Sequence, residues 1–198
     1  MGRQDWTGAS VTDMEDTPLP QEIRMFSQAF PFTPMGPTAS VRGMIERQLP
    51  GWERASYLTQ TYCDQAGWLY HGVSKEQIME ELLPIFYSLR KTDISTSADE
   101  LALLFLVFAI GALVDLEQDP GNAEAEHYYQ VARAAICLQS VLDKPSLATI
   151  QALYMLSIYN AMSGNRLSAK ETSMETTWSL NVLASHLSQT VRLYFPWK

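Results

Sequence analysis

Residues 101–116 read LALLFLVFAIGALVDL, and this stretch decides the fold. The apolar run within it is 14 residues long, from Leu101 to Val114. Acidic residues flank the run, among them Asp99 and Asp115, and a run of this length is too short to cross a bilayer. A helix that is apolar all round is buried on all sides. We therefore predict a central core helix that is contacted on several sides.

Helical periodicity of apolar residues continues on both sides of this stretch, and each break in it has a turn or capping signal. The predicted helices begin near Trp52, Ser74, Asn122, Pro145 and Thr172. The apolar faces of the last four carry Ile78, Leu82, Ile85 and Leu89; Ala125, Tyr129, Ala132 and Ile136; Leu147, Ile150, Tyr154 and Ile158; and Leu180, Leu183, Leu187 and Val191. Pro84 should kink or interrupt the helix that begins near Ser74.

No segment has the alternating pattern that a strand requires. Helices joined by short polar turns predict an all-α fold, an array of antiparallel helical hairpins around the central apolar helix. An α-solenoid is the nearest alternative, but no fixed repeat of roughly 34 or 40 residues supports it.

Residues 1–46 have the composition of a linker. Five of the ten prolines fall there, among acidic residues and phenylalanines, with neither a helical nor a strand period. An acidic-aromatic activation segment is the alternative, but the acids near Asp13 and the phenylalanines near Phe30 are not interleaved. We predict a disordered Pro-rich acidic linker at 1–46 and a folded domain over 47–198.

The charge and the cysteines exclude several classes of function. The net charge is -8, and an acidic surface repels the phosphate backbone of nucleic acids. We therefore expect no direct DNA binding and no membrane partner for this chain. The only two cysteines, Cys63 and Cys137, are far apart in sequence, which argues against a disulfide framework or a structural zinc site. We expect two reduced core thiols.

The strongest candidate for a metal site is Glu124 with His127, because a glutamate and a histidine three residues apart on a helix can reach one ion. The other histidines, His71 and His186, have no glutamate three residues before them, so a second half of such a site is missing. We expect the acidic first turn to complement the helix dipole instead.

Catalytic signatures are absent from the sequence. It has neither the G-x-S-x-G motif of a nucleophile elbow nor a glycine-rich phosphate loop. We expect no catalytic, cofactor-binding or metal-binding residue, and therefore no enzyme. Aromatic residues at helical spacing are predicted to be mostly core, with the lining of a small-molecule pocket as the alternative. They are Trp52, Tyr57, Tyr62, Trp68, Tyr70, Tyr128, Tyr129, Tyr154 and Trp178.

Four blocks resemble the middle homology region of fungal zinc-cluster transcription factors. They are LALLFLVFAIGALVDL, NAEAEHYYQVARAA, PSLATIQALYMLSIY and TSMETTWSLNVLASHLSQTV, beginning at residues 101, 122, 145 and 172. The chain is similar to that fungal-specific or xylanolytic-activator-type regulatory domain in the order and spacing of these blocks. Weaker similarity extends back to Leu49.

The resemblance implies a non-catalytic regulatory domain that acts in the nucleus. It would modulate DNA-templated transcription through helix contacts, with other segments of a transcription factor or with coregulator proteins as partners. A helical module that binds a small-molecule inducer is the alternative. Family members carry zinc in a separate N-terminal cluster of six cysteines, which this sequence lacks, so no zinc-binding or DNA-contacting residue is carried over.

The C-terminal residues depart from the family pattern. A Gly-Leu-His-Arg-Asp motif typically follows the last helix in the family, whereas residues 191–198 read VRLYFPWK. We expect a domain truncated on its C-terminal side, with a non-functional truncated gene product as one alternative. Helices that lack their usual neighbours leave apolar surface exposed, so the isolated chain is predicted to self-associate.

Overall fold

A computed structural model describes residues 18–87, 97–119, 122–143, 145–163 and 170–194. Its α-helices are α1 (Gln21–Ala29), α2 (Thr38–Glu46), α3 (Trp52–Tyr62), α4 (Trp68–Tyr70), α5 (Leu83–Tyr87), α6 (Ala98–Leu113), α7 (Ala123–Ile136), α8 (Leu147–Ser163) and α9 (Lys170–Tyr194). Two π-helical segments, Cys63–Gly67 and Gln77–Leu82, precede α4 and α5. No strand occurs within these ranges. The all-α class is confirmed, and the arrangement in antiparallel hairpins stays a prediction.

Helix α6 is the predicted central helix. It begins with a capping box, in which the Ser97 side chain accepts from the backbone N–H of Asp99 and the Glu100 carboxylate accepts from the backbone N–H of Ser97. Such a box satisfies backbone donors that a helix start leaves open. Every residue of α6 except Glu100 is buried, because α3, α7 and α8 pack around it. The prediction of a core helix contacted on several sides is confirmed.

The contact between α3 and α6 depends on a glycine. A Cβ atom added at Gly111 would overlap the Leu58 carbonyl oxygen and lie 3.0 Å from the Leu58 carbonyl carbon. Only a residue without a side chain allows the two backbones to approach this closely. Gly111 therefore sets the separation of the two helices.

The prediction of a disordered linker is wrong for Gln21–Ala29 and Thr38–Glu46, which form α1 and α2. Ile23 and Phe26 of α1, and Val41 and Ile45 of α2, are fully buried, and both helices contact α7. A proline stands immediately before each helix, where its missing N–H is not needed. The prolines thus mark helix starts. Residues 1–17 lie outside the described part of the chain.

The predicted buried faces of the outer helices agree with the observed burial to different degrees. All four predicted residues of α7 are buried, as are Leu180 and Leu187 of α9, whereas Leu89 lies outside the described residues. The predicted face of α8 is wrong at Leu147, which is 65% exposed. The error arises because α6 and α9 both pack on α8, so buried residues such as Leu153 lie beyond any single stripe. Among the described helices, none combines the length and the hydropathy that a bilayer crossing requires.

Candidate functional site

Residues 63–82 comprise the two π-helical segments, α4 and the connection between α4 and the second segment, and we call them the corner. A π-helical turn has a looser backbone than an α-helix and is frequent at functional sites. The corner also exposes two large apolar side chains, Trp68 (64%) and Leu69 (54%). It differs in both respects from the closely packed helices around α6.

A cavity of about 320 Å³ lies at the corner. Its apolar lining includes Tyr62, Cys63, Trp68 and Val73, and its polar lining includes Asp64, His71 and Lys75. Pockets that bind small molecules have volumes of roughly 300–1,000 Å³ and combine an apolar lining with a few polar groups. The cavity therefore has the size and composition of a site for a small ligand.

The backbone of the corner is held in a constrained conformation. His71 has φ 49° and ψ 28°, the left-handed region that residues other than glycine rarely adopt. Gly72 follows it and is buried against α8, where an added Cβ would lie 2.6 Å from the Met155 sulfur. The glycine lets the chain approach α8, and the contact fixes the position of His71 at the cavity.

Two side chains of α8 bind carbonyl oxygens of the corner. The Tyr154 hydroxyl donates to the Tyr70 carbonyl at 3.0 Å, and the Gln151 amide donates to the Gly72 carbonyl at 3.2 Å. Gln151 and Gln77 also pair through their side-chain amides. Gln151 and Tyr154 belong to the PSLATIQALYMLSIY block, so that block holds the corner in place.

A glutamine separates the two opposite charges at the cavity. The Gln60 amide nitrogen donates to both carboxylate oxygens of Asp64, at 2.8 and 2.9 Å, and its oxygen accepts from the Lys75 ammonium at 3.5 Å. Within the described ranges, no carboxylate lies within ion-pair distance of Lys75. The cavity thus presents one cation and one anion that do not neutralise each other directly.

The cysteines are not activated nucleophiles. Burial raises the pKa of the Cys63 thiol above its ordinary value, although Lys75 opposes the shift. Burial also raises the pKa of Cys137 to about 12. A thiol is reactive as the thiolate, so both groups are protonated and weakly nucleophilic at neutral pH. Both are free cysteines.

Glu124, half of the candidate metal pair, is held by an arginine. Glu124 accepts two hydrogen bonds from the Arg54 guanidinium, at 3.0 and 2.5 Å, and Asp115 lies 3.7 Å from the same group. The hydrogen bond to Glu124, followed by the charges nearby, raises the pKa of Arg54 against the effect of burial. Glu124 therefore joins α7 to α3, a role that the sequence did not reveal.

His127, the other half of the candidate metal pair, packs against an aromatic ring. Its ring lies edge-on to Tyr128 with centroids 5.4 Å apart, and its buried Nε2 atom has no hydrogen-bond partner. Burial lowers the pKa of His127, and the Glu124 charge opposes the shift. No group of three or more potential metal ligands occurs in the part of the chain that the structure describes.

A buried carboxylate explains the polar residues at the start of α8. Asp99 is 1% exposed, and one of its oxygens accepts from the Ser146 hydroxyl at 3.0 Å and the Thr149 hydroxyl at 2.5 Å. Ser146 also accepts from the Thr149 backbone N–H at 3.0 Å, as an N-cap does. These residues join the start of α8 to the start of α6. The sequence showed the serine and threonine but not their partner.

An aromatic stack joins α7 to α8. The rings of Tyr129 and Tyr159 are nearly parallel, with centroids 4.2 Å apart, and the Tyr129 hydroxyl donates to the Asn160 side chain at 3.0 Å. The Arg133 guanidinium lies over Tyr129 and over Phe30, the residue after α1. These contacts thus join α7 to α8 and to the end of α1.

The aromatic residues divide between core and surface. Tyr62, Tyr128 and Tyr129 are buried, as predicted. The prediction of a core position is wrong for the exposed members of the set, which are Trp52 (56%), Tyr57 (38%), Trp68 (64%) and Trp178 (70%). Trp178 lies on the outer face of α9 with Val182, one turn further on and 47% exposed. Among the described elements, α9 packs mainly on α8, so its outer face is open.

Together these features define an all-α domain in which polar motif residues join helices to one another. A comparison with protein families matches residues 56–194 to the fungal specific transcription factor domain. The chain belongs to this family, which consists of transcription factor regulatory domains. Searches of curated proteins and of solved structures found no match.

Proposed function

We propose that the chain is a non-catalytic regulatory domain of a fungal zinc-cluster transcription factor. It acts in the nucleus and modulates transcription through helix contacts with other segments of the factor or with coregulator proteins. The observation that carries the proposal is the family match over residues 56–194. The net charge of -8 also supports a role in which another segment binds DNA.

The outer face of α9 supports contact with another protein. Trp178 and Val182 are one turn apart and both exposed, and neighbours at this spacing form a continuous patch on a helix. Exposed tryptophan is enriched among the residues that dominate the affinity of protein interfaces. The patch is therefore the first surface to test for a regulatory contact.

A tethered reporter tests the proposal. The full chain is fused between a heterologous DNA-binding domain and an activation domain in a fungal host, and reporter output is compared with that of a fusion lacking the chain. A regulatory domain should change the output at least severalfold. The double substitution Trp178→Ser, Val182→Ser should abolish the change, because it removes the apolar patch without touching the buried face.

The matched control is Leu142→Ser, which also removes an exposed apolar side chain, 60% exposed, but lies outside α9. It should leave the regulatory effect intact at equal protein abundance. Unchanged reporter output in the parent fusion would contradict the regulatory role. Loss of the effect in the control alone would place the contact outside the α9 face. Self-association stays a prediction, checked by light scattering of the purified chain.

A further inference from the structure

We propose that the cavity at the corner binds a small zwitterion with one aromatic ring, the chemistry of an aromatic α-amino acid. The cavity is lined by Tyr62, Trp68, Asp64 and Lys75. This inference concerns binding to the isolated chain and does not depend on the regulatory role.

The aromatic ring follows from the walls and the size of the cavity. Trp68 offers an accessible ring surface, and stacked or edge-to-face contacts between rings are favourable beyond the area that they bury. Trp68 is 64% exposed, so a ligand ring would cover apolar surface that now faces water. The volume of about 320 Å³ is at the small end for ligand pockets and suits one ring better than several.

The zwitterion follows from the two charges. The Lys75 ammonium can bind a carboxylate and the Asp64 carboxylate can bind an ammonium, and such charge-assisted hydrogen bonds are stronger than neutral ones. Both side chains contact the Gln60 amide and not each other. An α-amino acid carries its two charged groups on one carbon, so it can engage both side chains at once. A ligand with a single charge would leave one of them without an oppositely charged partner.

The shape of the cavity is set before a ligand arrives. His71 is held in its left-handed conformation beside Gly72, which contacts Met155 of α8. Tyr154 and Gln151 bind the carbonyls on either side of His71. A preformed site loses less conformational entropy on binding. The first π-helical segment, Cys63–Gly67, supplies part of the cavity lining beside this anchored turn, including Asp64.

Calorimetric titration of the purified full chain tests the proposal with three probes. L-phenylalanine should bind saturably and raise the melting temperature. Two probes lack one charged group each: phenethylamine has no carboxylate and 3-phenylpropionate has no ammonium. Each should bind at least about tenfold more weakly than L-phenylalanine, because each loses a hydrogen bond to a charged group. Absence of binding by L-phenylalanine, or equal binding of all three probes, would overturn the zwitterion assignment.

Variants locate the binding. Lys75→Gln and Trp68→Ala should each weaken L-phenylalanine binding about tenfold or more, with circular dichroism and melting temperature confirming a folded chain. Trp178→Ala is the matched control, because it removes a tryptophan of similar exposure from α9, and it should leave the affinity unchanged. Equal affinity of Trp68→Ala and the parent chain would place the ligand elsewhere and overturn the site.

Discussion

Helix α6 and the corner differ in what their apolar residues do. In α6, apolar residues fill a position enclosed by three other helices, and only Glu100 is not buried. At the corner, Trp68 and Leu69 are more than half exposed to solvent, while Gly72 packs the backbone against α8. Burial of apolar surface is the dominant favourable term in folding. The difference indicates that α6 is packed on all sides, whereas the corner joins the core through residues such as Val73 and Ile78 and leaves other side chains exposed and free to bind.

The largest expected effect comes from truncating an aromatic residue of the core. Phe108→Ala should lower the free energy of unfolding by about 3–5 kcal/mol, because Phe108 is fully buried beside Phe105 and Tyr128 and the cavity cannot close fully. Trp68→Ala at the corner should change it by no more than about 0.5 kcal/mol. Urea unfolding measures both. Equal losses of unfolding free energy in the two variants would contradict the difference between α6 and the corner.

Two helical glycines should respond in opposite directions. Gly111→Ala should cost about 2 kcal/mol, because the new methyl group overlaps the Leu58 carbonyl and overpacking forces the backbone to shift. Gly43→Ala on α2 has nothing within 4 Å of the new methyl group. Gly43→Ala should raise the free energy of unfolding by about 0.5–1 kcal/mol, because alanine loses less backbone entropy in a helix. Urea midpoints that move in the same direction would refute the tight α3–α6 contact.

A third pair compares hydrogen bonds in the two regions. Asp99→Ala should cost about 2 kcal/mol, because the Ser146 and Thr149 hydroxyls lose their buried acceptor. Tyr154→Phe should cost about 1 kcal/mol, because it removes one hydrogen bond to the Tyr70 carbonyl. Amide exchange should show faster opening of the corner in Tyr154→Phe alone. Faster opening of both regions in both variants would mean that the corner and α6 unfold as one unit.

The smallest effect concerns pH. Burial lowers the pKa of His127 in the folded chain below its ordinary value of 6.5, so the unfolded chain binds the proton more readily. The contribution of neutral His127 to the free energy of unfolding is therefore fully present above about pH 6.5. It is lost as the pH falls below this value, by at most about 1.4 kcal/mol per pH unit. Relative to the parent, His127→Gln should lose less stability over this range in thermal melts.

The matched control for this titration is His186→Gln, because His186 is exposed on α9. It should retain the acid sensitivity of the parent chain. Acid sensitivity that disappears with His186 and persists without His127 would contradict the assignment. Glu124 and Arg54 remain in both variants, so their contribution cancels in the comparison.

The sequence predicted the elements whose burial follows from a simple pattern. The all-round apolar character of 101–114 is sufficient to identify a central helix, and Ala125, Tyr129 and Ile136 mark the inner face of α7 correctly. Helices α1 and α2 were missed because each is only nine residues long. Two turns contain too few apolar residues to establish a period.

The candidate site could not be predicted, because it depends on contacts between distant segments. Nothing near Gly72 in the sequence indicates that Met155 lies against it, and nothing near Asp99 indicates Ser146. The aromatic residues of the corner were among those predicted to be core or pocket lining. Periodicity could not separate the two groups, since both occur at helical spacing.

Helix α8 contacts the corner through Gln151 and Tyr154 and contacts α9 through Ser157, whose hydroxyl donates to the Asn181 side chain at 3.1 Å. These contacts lie within two turns of one helix, so a rigid rotation of α8 would move both by the same angle. We therefore expect related sequences to be constrained in how they diverge. Substitutions that reshape the cavity by tilting α8 would also change the orientation of α9. The cavity lining and the outer face of α9 should therefore evolve together.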